Sequence, residues 1–363
     1  MTAPAALTIR SSEGEYGVVP AASLAEAMTR SAGPRTHCLV DARVLELYRP
    51  AIEAAIPAQR LHVVEASEGA KSFEALTPVF TGLLEAGMKR DGDLLVVGGG
   101  VLQDIGCFVA SVLFRGVPWT LVPTTLLAQC DSCIGSKSSI NVGPYKNQVG
   151  TFYPPRQVAL THDVLGTLAW DDLRSGVGEM LKLHLLTGEA EYRELLPALG
   201  RLPHDRSALP AQVLRSLRIK QRYIEEDEFD TGIRNLLNYG HTFAHAYESA
   251  THYAIPHGIA VTLGMLTATL VSARTGLVAD GYFEALEREL RPWYAPYHAE
   301  LAAADPGEIA RAIRTDKKAT AHGVNCILTR GAGAMEKRLV PLDEVLLPAI
   351  AEFVRYCAAR APE

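Results

Sequence analysis

Apolar runs of strand length, each followed by a segment with helical spacing, constrain the first part of this chain more than any other feature. "THCLVDARV", "RLHVVEASEG", "DLLVVGGG" and "VPWTLVPTTL" each read as a buried strand running into a turn. Between them, "LELYRPAIEAAIP", "SFEALTPVFTGLLEAGM" and "VLQDIGCFVASVLF" show the recurrence of amphipathic or buried helices. Strands alternating with helices predict a mostly parallel, doubly wound sheet. After about residue 155 the alternation stops. "AWDDLRSGVGEMLKLHLLTG", "ALPAQVLRSLRIKQRYIEEDE", "NYGHTFAHAYESAT", "GIAVTLGMLTATLVSARTG", "DGYFEALERELRPWY" and "DEVLLPAIAEFVRYCAAR" all read as helices. The expectation is a Rossmann-like α/β domain over residues 1–155 and an all-α domain over 156–363. A chain of 363 residues is long for one core, which favours the same division.

A formal charge of −6, with no basic patch, argues against a nucleic-acid partner. No apolar run approaches twenty residues, and "MTAPAALTIRSSEGEYG" lacks the regions of a signal peptide, so no membrane partner and a cytoplasmic location are expected. Cys38, Cys107, Cys326 and Cys357 sit in apolar surroundings as buried fillers. Cys130 and Cys133 form a C-x-x-C that reads as a redox pair or half a zinc site, but no second C-x-x-C completes a zinc ribbon.

Two readings stay open for the stretch "NYGHTFAHAYESATHYAIPHG", which holds His241, His245, His252 and His257. His241 and His245 share a helix face, and with a loop histidine and a carboxylate from elsewhere they suit a zinc-like ion. The same residues could be hydrogen-bonded members of a helical core. Gly98, Gly99 and Gly100 stand between a strand and a helix, where backbone amides can meet a phosphate, although the G-x-G-x-x-G spacing is absent. Thr124 and Thr125 end the next strand. Arg115, Asp131, Lys137, Asn141, Lys146 and Asn147 then punctuate an apolar stretch, followed by Glu179 and Lys182, three apart on a mostly apolar helix. With Lys220, Arg234 and Asn238 further on, such a set of cations suits a small anionic substrate.

Together these residues resemble the 3-dehydroquinate synthase family of sugar-phosphate cyclases. The resemblance rests on "GGGVLQD", "FRGVPW", "VPTTLLAQCDSCIGSK", "KNQVGTFYPP", "SGVGEMLK", "IRNLLNYGHTFAH", "HG" at 257–258 and "DKK" at 316–318, in family order. It implies an NAD-binding α/β domain, a helical metal-binding domain, a Zn2+ or Co2+ ion and a homodimer. The implied metal ligands are Glu179, His241 and His257. The implied nucleotide contacts are Asp41, Glu68, Lys71, Gly99, Gly100, Asp104, Thr124 and Thr125. The implied catalytic set is Arg115, Lys137, Asn147, Lys182 and His245, the last as a substrate or proton-relay histidine. Asp131, Lys146, Lys220, Arg234, Asn238 and one of Lys317 or Lys318 would bind substrate. The implied reaction turns 3-deoxy-D-arabino-heptulosonate 7-phosphate into 3-dehydroquinate and phosphate, through oxidation, elimination, reduction, ring opening and an intramolecular aldol step.

Relatives that cyclise sedoheptulose 7-phosphate or glucose 6-phosphate act on substrates without a carboxylate. Lys220, Arg234 and Asn238 favour a carboxylated one. Three features depart from the family pattern: "GSKSSIN" replaces GGKTG-V-N around Lys137, "DAR" places Arg43 where an asparagine is usual, and the N-terminal segment is short. They leave open a secondary-metabolism cyclase, or one acting on an amino analogue. A metal-dependent alcohol dehydrogenase would release NADH stoichiometrically and would not account for the lysines. A non-catalytic binding protein would be expected to have lost a ligand or a lysine, and none is missing.

Overall fold

A computed structural model describes residues 6–143 and 145–360. In chain order the strands and helices are β1 (Leu7–Ser11), β2 (Gly14–Pro20), α1 (Leu24–Ser31), β3 (Thr36–Asp41), α2 (Ala42–Ala55), β4 (Leu61–Val64), α3 (Leu76–Glu85), β5 (Asp93–Gly98), α4 (Gly100–Val112), β6 (Trp119–Pro123), β7 (Ile140–Val142), β8 (Tyr145–Val149) and β9 (Gln157–Leu160). They continue with α5 (Trp170–Thr187), α6 (Glu189–Arg201), α7 (Leu209–Glu226), α8 (His241–Ala250), α9 (His257–Arg274), α10 (Tyr282–Tyr294), α11 (His298–Ala303), α12 (Pro306–Arg314), β10 (Ala319–Thr320), β11 (Gly323–Thr329), β12 (Met335–Val340) and α13 (Leu347–Ala358).

The chain forms two compact units, one of residues 1–168 with 209–229, the other of 169–208 with 230–363. The first is built on a seven-stranded sheet in the order β1-β2-β9-β6-β5-β3-β4, parallel except for the β1–β2 hairpin. Leu39, Val40, Leu95, Val96 and Val97 are fully buried, as strands covered on both faces require. Winding proceeds outward from β3 in one direction and from β5 in the other, so a switch point lies between their carboxyl ends, where open α/β sheets bind ligands. Gly106 lets α4 lie on β5, since a Cβ there would fall 2.4 Å from Val96 Cγ2.

In the second unit α9 is buried on all sides from Gly258 to Ser272. Its hydroxyls are nonetheless satisfied: Thr262, Thr267, Thr269 and Ser272 donate to carbonyls four residues back, and Tyr239 and Tyr247 bond Thr269 and Thr267. No helix among the described residues is long and apolar enough to cross a membrane.

Several sequence expectations shift. The division expected at 155/156 lies at 168/169, because β9 enters the sheet between β2 and β6. Helix α7, expected among the helices of the second half, belongs to the first unit. Its Gln221 donates to Thr8 O (2.8 Å), and its Glu225 accepts from Arg10 N (3.0 Å). The second unit is helical but not all-α, since β10–β11–β12 form a small antiparallel sheet that helical periodicity could not reveal. Cys130 lies within a π-helical turn and Cys133 caps it; both are buried thiols with no disulfide between them, and burial pushes Cys133 up to about 12, unlike a reactive redox pair.

In the "GSKSSIN" loop, Ser136 stands at φ +65°, a left-handed conformation that favours glycine. Ser136→Gly should leave thermal unfolding unchanged or raise its midpoint. Ser136→Val should lower stability by about 1–2 kcal/mol, because a β-branched residue fits that backbone badly. Equal midpoints for the two variants would show that the position carries no strain.

Candidate active site

Three glycines bring the ligand-type side chains of the second unit together. A Cβ on Gly178 would lie 1.9 Å from Gly258 O, and one on Gly258 would lie 1.7 Å from Ser175 O, so α5 and the start of α9 meet backbone to backbone. Gly240, at φ +82°, lies against Val261 O and Met265 N of α9. Each glycine adjoins one member of the cluster: Gly178 precedes Glu179, Gly240 precedes His241 and Gly258 follows His257.

Glu179 Oε1 lies 3.2 Å from His257 Nε2 and 3.6 Å from His241 Nε2. One ligand-type atom from each of the three falls within 4.8 Å of the others, a spread that small adjustments would close around a cation. The remaining ring nitrogens are engaged: His241 Nδ1 meets Tyr239 O at 3.3 Å, and His257 Nδ1 meets Glu248 Oε1 at 3.1 Å. Orienting Nδ1 with a carbonyl or carboxylate directs Nε2 inward, as metal-binding histidines require. One carboxylate and two Nε2 atoms, each fixed from behind, fit a zinc-like ion with coordination positions left for another ligand.

Glu179 and Lys182 form a buried ion pair one helical turn apart, each side chain only 3% exposed. Burial, Lys182, His257 and Lys318 hold the His241 imidazole well below its usual range. At His257 burial opposes protonation, but Glu248 and Glu179 outweigh it and push the imidazole up to about 10. Desolvation is the main cause holding the His245 imidazole well below its usual range, although the residue reaches solvent. Lys318 donates to Thr242 Oγ1 (2.8 Å), beside the histidines, whereas Lys317 is exposed; the structure thus separates the two lysines. Arg234 is buried and Asn238 half-buried in the 3-10 turn Ile233–Asn238 that leads into α8. His252 is exposed, away from these contacts.

In the first unit, the residues expected at a nucleotide cluster around the carboxyl ends of the strands. Asp41 ends β3 and caps α2 by accepting from Arg43 N (2.8 Å). Gly99 caps α4, and a Cβ on it would strike Thr125 Cγ2 at 2.8 Å, so glycine keeps that helix start open. Lys71 Nζ donates to Asp104 Oδ2 (2.9 Å) and lies 3.7 Å from Glu68, which also accepts from Asn141 Nδ2 (2.8 Å) and pairs with Lys146 (3.3 Å). Burial opposes ionisation of Glu68, but Lys71, Asn141 and Lys146 hold its carboxyl below the usual range. Thr124 is buried and its N–H bonds Gly98 O.

Lys220, on α7, pairs with Asp131 Oδ1 (2.5 Å) and donates to Asp131 O (2.8 Å). Lys137 Nζ sits 5.7 Å above the Phe152 ring. Arg115 and Asn147 are exposed, both at left-handed backbone positions (φ +67° and +54°), and Asn147 joins the contacts above through its N–H, which donates to Asn141 Oδ1 (2.9 Å). Arg43, the departure in "DAR", is exposed and pairs with Glu46. Two participants went unread in the sequence: Asn141, noted without a role, links the Glu68 and Asn147 segments. Glu248 orients His257, and its position three residues after His245 and seven after His241 was the available signal.

Gly178→Ala should cost several kcal/mol, roughly the 1–3 kcal/mol of overpacking or more, because backbone rather than a flexible side chain blocks the methyl. Denaturant unfolding measures this, and a loss below about 0.5 kcal/mol would contradict the packing.

Models for the N-terminal and C-terminal parts of 3-dehydroquinate synthase match residues 61–175 and 176–319. The chain is 35% identical over 327 residues to the 3-dehydroquinate synthase of Bartonella tribocorum, covering 86% of each. In structure it is similar to 2-deoxy-scyllo-inosose synthase complexed with carbaglucose-6-phosphate, NAD+ and Co2+, at TM-score 0.79 and 22% identity, covering 96% of this chain and 99% of that one. It is also similar to the 2-epi-5-epi-valiolone synthase of Streptomyces hygroscopicus subsp. jinggangensis with NAD+ and Zn2+ bound, at TM-score 0.77 and 25% identity, covering 95% and 97%. A triad of Glu179, His241 and His257 in one unit, a doubly wound sheet with an open glycine turn in the other, and matches running through both have one common account: the chain belongs to the 3-dehydroquinate synthase family.

Proposed function

We propose that this protein is a 3-dehydroquinate synthase, a carbon–oxygen lyase that eliminates phosphate from 3-deoxy-D-arabino-heptulosonate 7-phosphate and closes the carbocycle. The observation that carries the reading is the Glu179–His241–His257 triad with Lys182 buried beside it. Greater identity to curated 3-dehydroquinate synthases than to the two natural-product cyclases supports this substrate over a carboxylate-free sugar. On the same reading the enzyme is a cytoplasmic homodimer, which fractionation and mass in solution would test.

Glu179, His241 and His257 would hold Zn2+ or Co2+, and the glycine turn with Glu68, Lys71, Asp104, Thr124 and Thr125 would hold NAD. When bound, the cation would polarise substrate hydroxyls, and the nicotinamide would take a hydride and return it. The chain supplies orientation and charge. Lys182, paired with Glu179, would offer N–H donors to substrate oxygens. Lys137, Lys146 and Arg115 would neutralise the phosphate as it leaves, with Asn147 donating a neutral hydrogen bond. His245, kept neutral at pH 7, has a lone pair ready to accept a proton from a substrate hydroxyl and later return it. Lys220 and Arg234 would meet the carboxylate, with Asp131, Asn238 and Lys318 fixing hydroxyls.

The first test is phosphate release from 3-deoxy-D-arabino-heptulosonate 7-phosphate, sedoheptulose 7-phosphate and glucose 6-phosphate at catalytic NAD. Turnover of the first supports the proposal, whereas release from another sugar alone assigns a natural-product cyclase. Stoichiometric NADH without phosphate would indicate a dehydrogenase. Arg234→Ala should lower kcat/KM for the carboxylated substrate by roughly 10–150-fold, the worth of a hydrogen-bonded charge, and spare any activity on sedoheptulose 7-phosphate. Equal losses would remove the carboxylate argument.

His257 gives a pH dependence of definite sign. Without metal its imidazole stays protonated up to about 10, and a cation must displace the Nε2 proton. Affinity for Zn2+ should therefore rise with pH between 6 and 9, with proton release seen as a buffer-dependent binding enthalpy. His257→Ala should weaken binding by on the order of a hundredfold or more while NAD affinity is retained. Unchanged metal affinity would sink the assigned site.

A further inference from the structure

The outward nitrogen of His257 faces a second set of ligand-type atoms. His245 and Glu248 stand three apart on α8, a spacing that presents histidine and carboxylate to one ion. With His257 they form a group whose ligand-type atoms lie within 4.8 Å of one another, the same spread as in the first triad. Glu248 Oε1 is 3.1 Å from His257 Nδ1, and the rings of His245 and His257 are near-parallel at 6.1 Å. His245 is exposed, whereas Glu248 and His257 are half-buried, so a hydrated ion can arrive without opening the core. Among the described residues these two triads are the only groups of their kind.

We infer that His245, Glu248 and the Nδ1 side of His257 form a second seat for a borderline divalent cation, sharing the His257 ring with the seat at Glu179. The inference rests on the reading of that first seat. Two nitrogens and a carboxylate oxygen, with one side open to water, suit Zn2+ or Co2+ better than Mg2+ or Ca2+, which prefer all-oxygen sites. The 3.1 Å contact between His257 Nδ1 and Glu248 Oε1 must open to admit an ion, and His245 is exposed where Glu179 of the first seat is buried, so the second seat is the weaker of the two. Its occupation takes the lone pair of His245 and removes the orienting bond on His257, which makes excess metal an inhibitor.

Equilibrium dialysis of metal-free full-length protein against Co2+, with metal counted by mass spectrometry and the visible cobalt bands recorded, tests this. Two ions per chain are expected at saturation, the second at higher concentration and with its own spectral change. His245→Ala and His241→Ala should each bind one ion, with different spectra, because each removes a different seat. Saturation of the wild type at one ion overturns the second seat and leaves the first intact. No binding at all overturns both. Two ions retained in His245→Ala would place the second elsewhere and also overturn the inference. Glu248→Gln, which keeps the size of the side chain, should weaken the second event more than the first, and the reverse order would count against it.

Discussion

Between Gly178 and Gly258 two helix backbones come so near that a methyl group on either would overlap a carbonyl, and Gly240 meets α9 in the same way. Side chains placed one residue from such contacts inherit their precision, because the backbone there has almost no freedom to shift. Glu179, His241 and His257 are all placed so. Ser175 Oγ accepts from Gly258 N at 2.9 Å and fixes the register of α5 against α9, so the separation of the carboxylate from His257 is set by main chain rather than by rotamers. A larger residue at any of the three glycines would splay the cluster while leaving every ligand present.

That rigidity comes with an electrostatic problem which the local residues solve. A carboxylate as buried as Glu179 is costly unless compensated, and Lys182 compensates it from the same helix face. The two histidines then add little charge conflict, since His241 is held neutral while His257 draws its proton toward Glu248 and Glu179. A divalent ion held there would replace that proton and answer the same carboxylates with more charge. The site is thus arranged for a cation even where a proton stands in for it.

The alternation of apolar runs and helical spacing made the sheet of the first unit legible, because strands covered on both faces must be continuously apolar. The grouping of Glu179, His241 and His257 was legible from the histidine motif and its family resemblance. Other features had no such signal. The β10–β11–β12 sheet is short and its outer strand half-exposed, so its residues lack the pattern of a core strand. Helix α7 reads as amphipathic whichever unit it packs on. The choice between Lys317 and Lys318 depended on which one the turn after α12 directs inward, and adjacent residues carry no periodicity to decide that. Glu248 looked like an ordinary surface acid of α8 until His257, from the next helix, was seen against it.

The return of α7 to the first unit joins two requirements. Strand β1 is the edge of the sheet, and an open edge offers unpaired amides and carbonyls to other chains. Gln221 takes Thr8 O, Glu225 takes Arg10 N and its guanidinium, and Glu228 takes Ser12 N, so three side chains from successive turns of α7 and its end cover that edge. The residue beside Gln221 is Lys220, turned to the opposite contact with Asp131. Covering the edge and presenting a cation therefore depend on the same helix in the same register. A slide of α7 by one turn along β1 would break the edge bonds and carry Lys220 about 5.4 Å from its carboxylate. The N-terminal hairpin thereby bears on the position of Lys220 through α7.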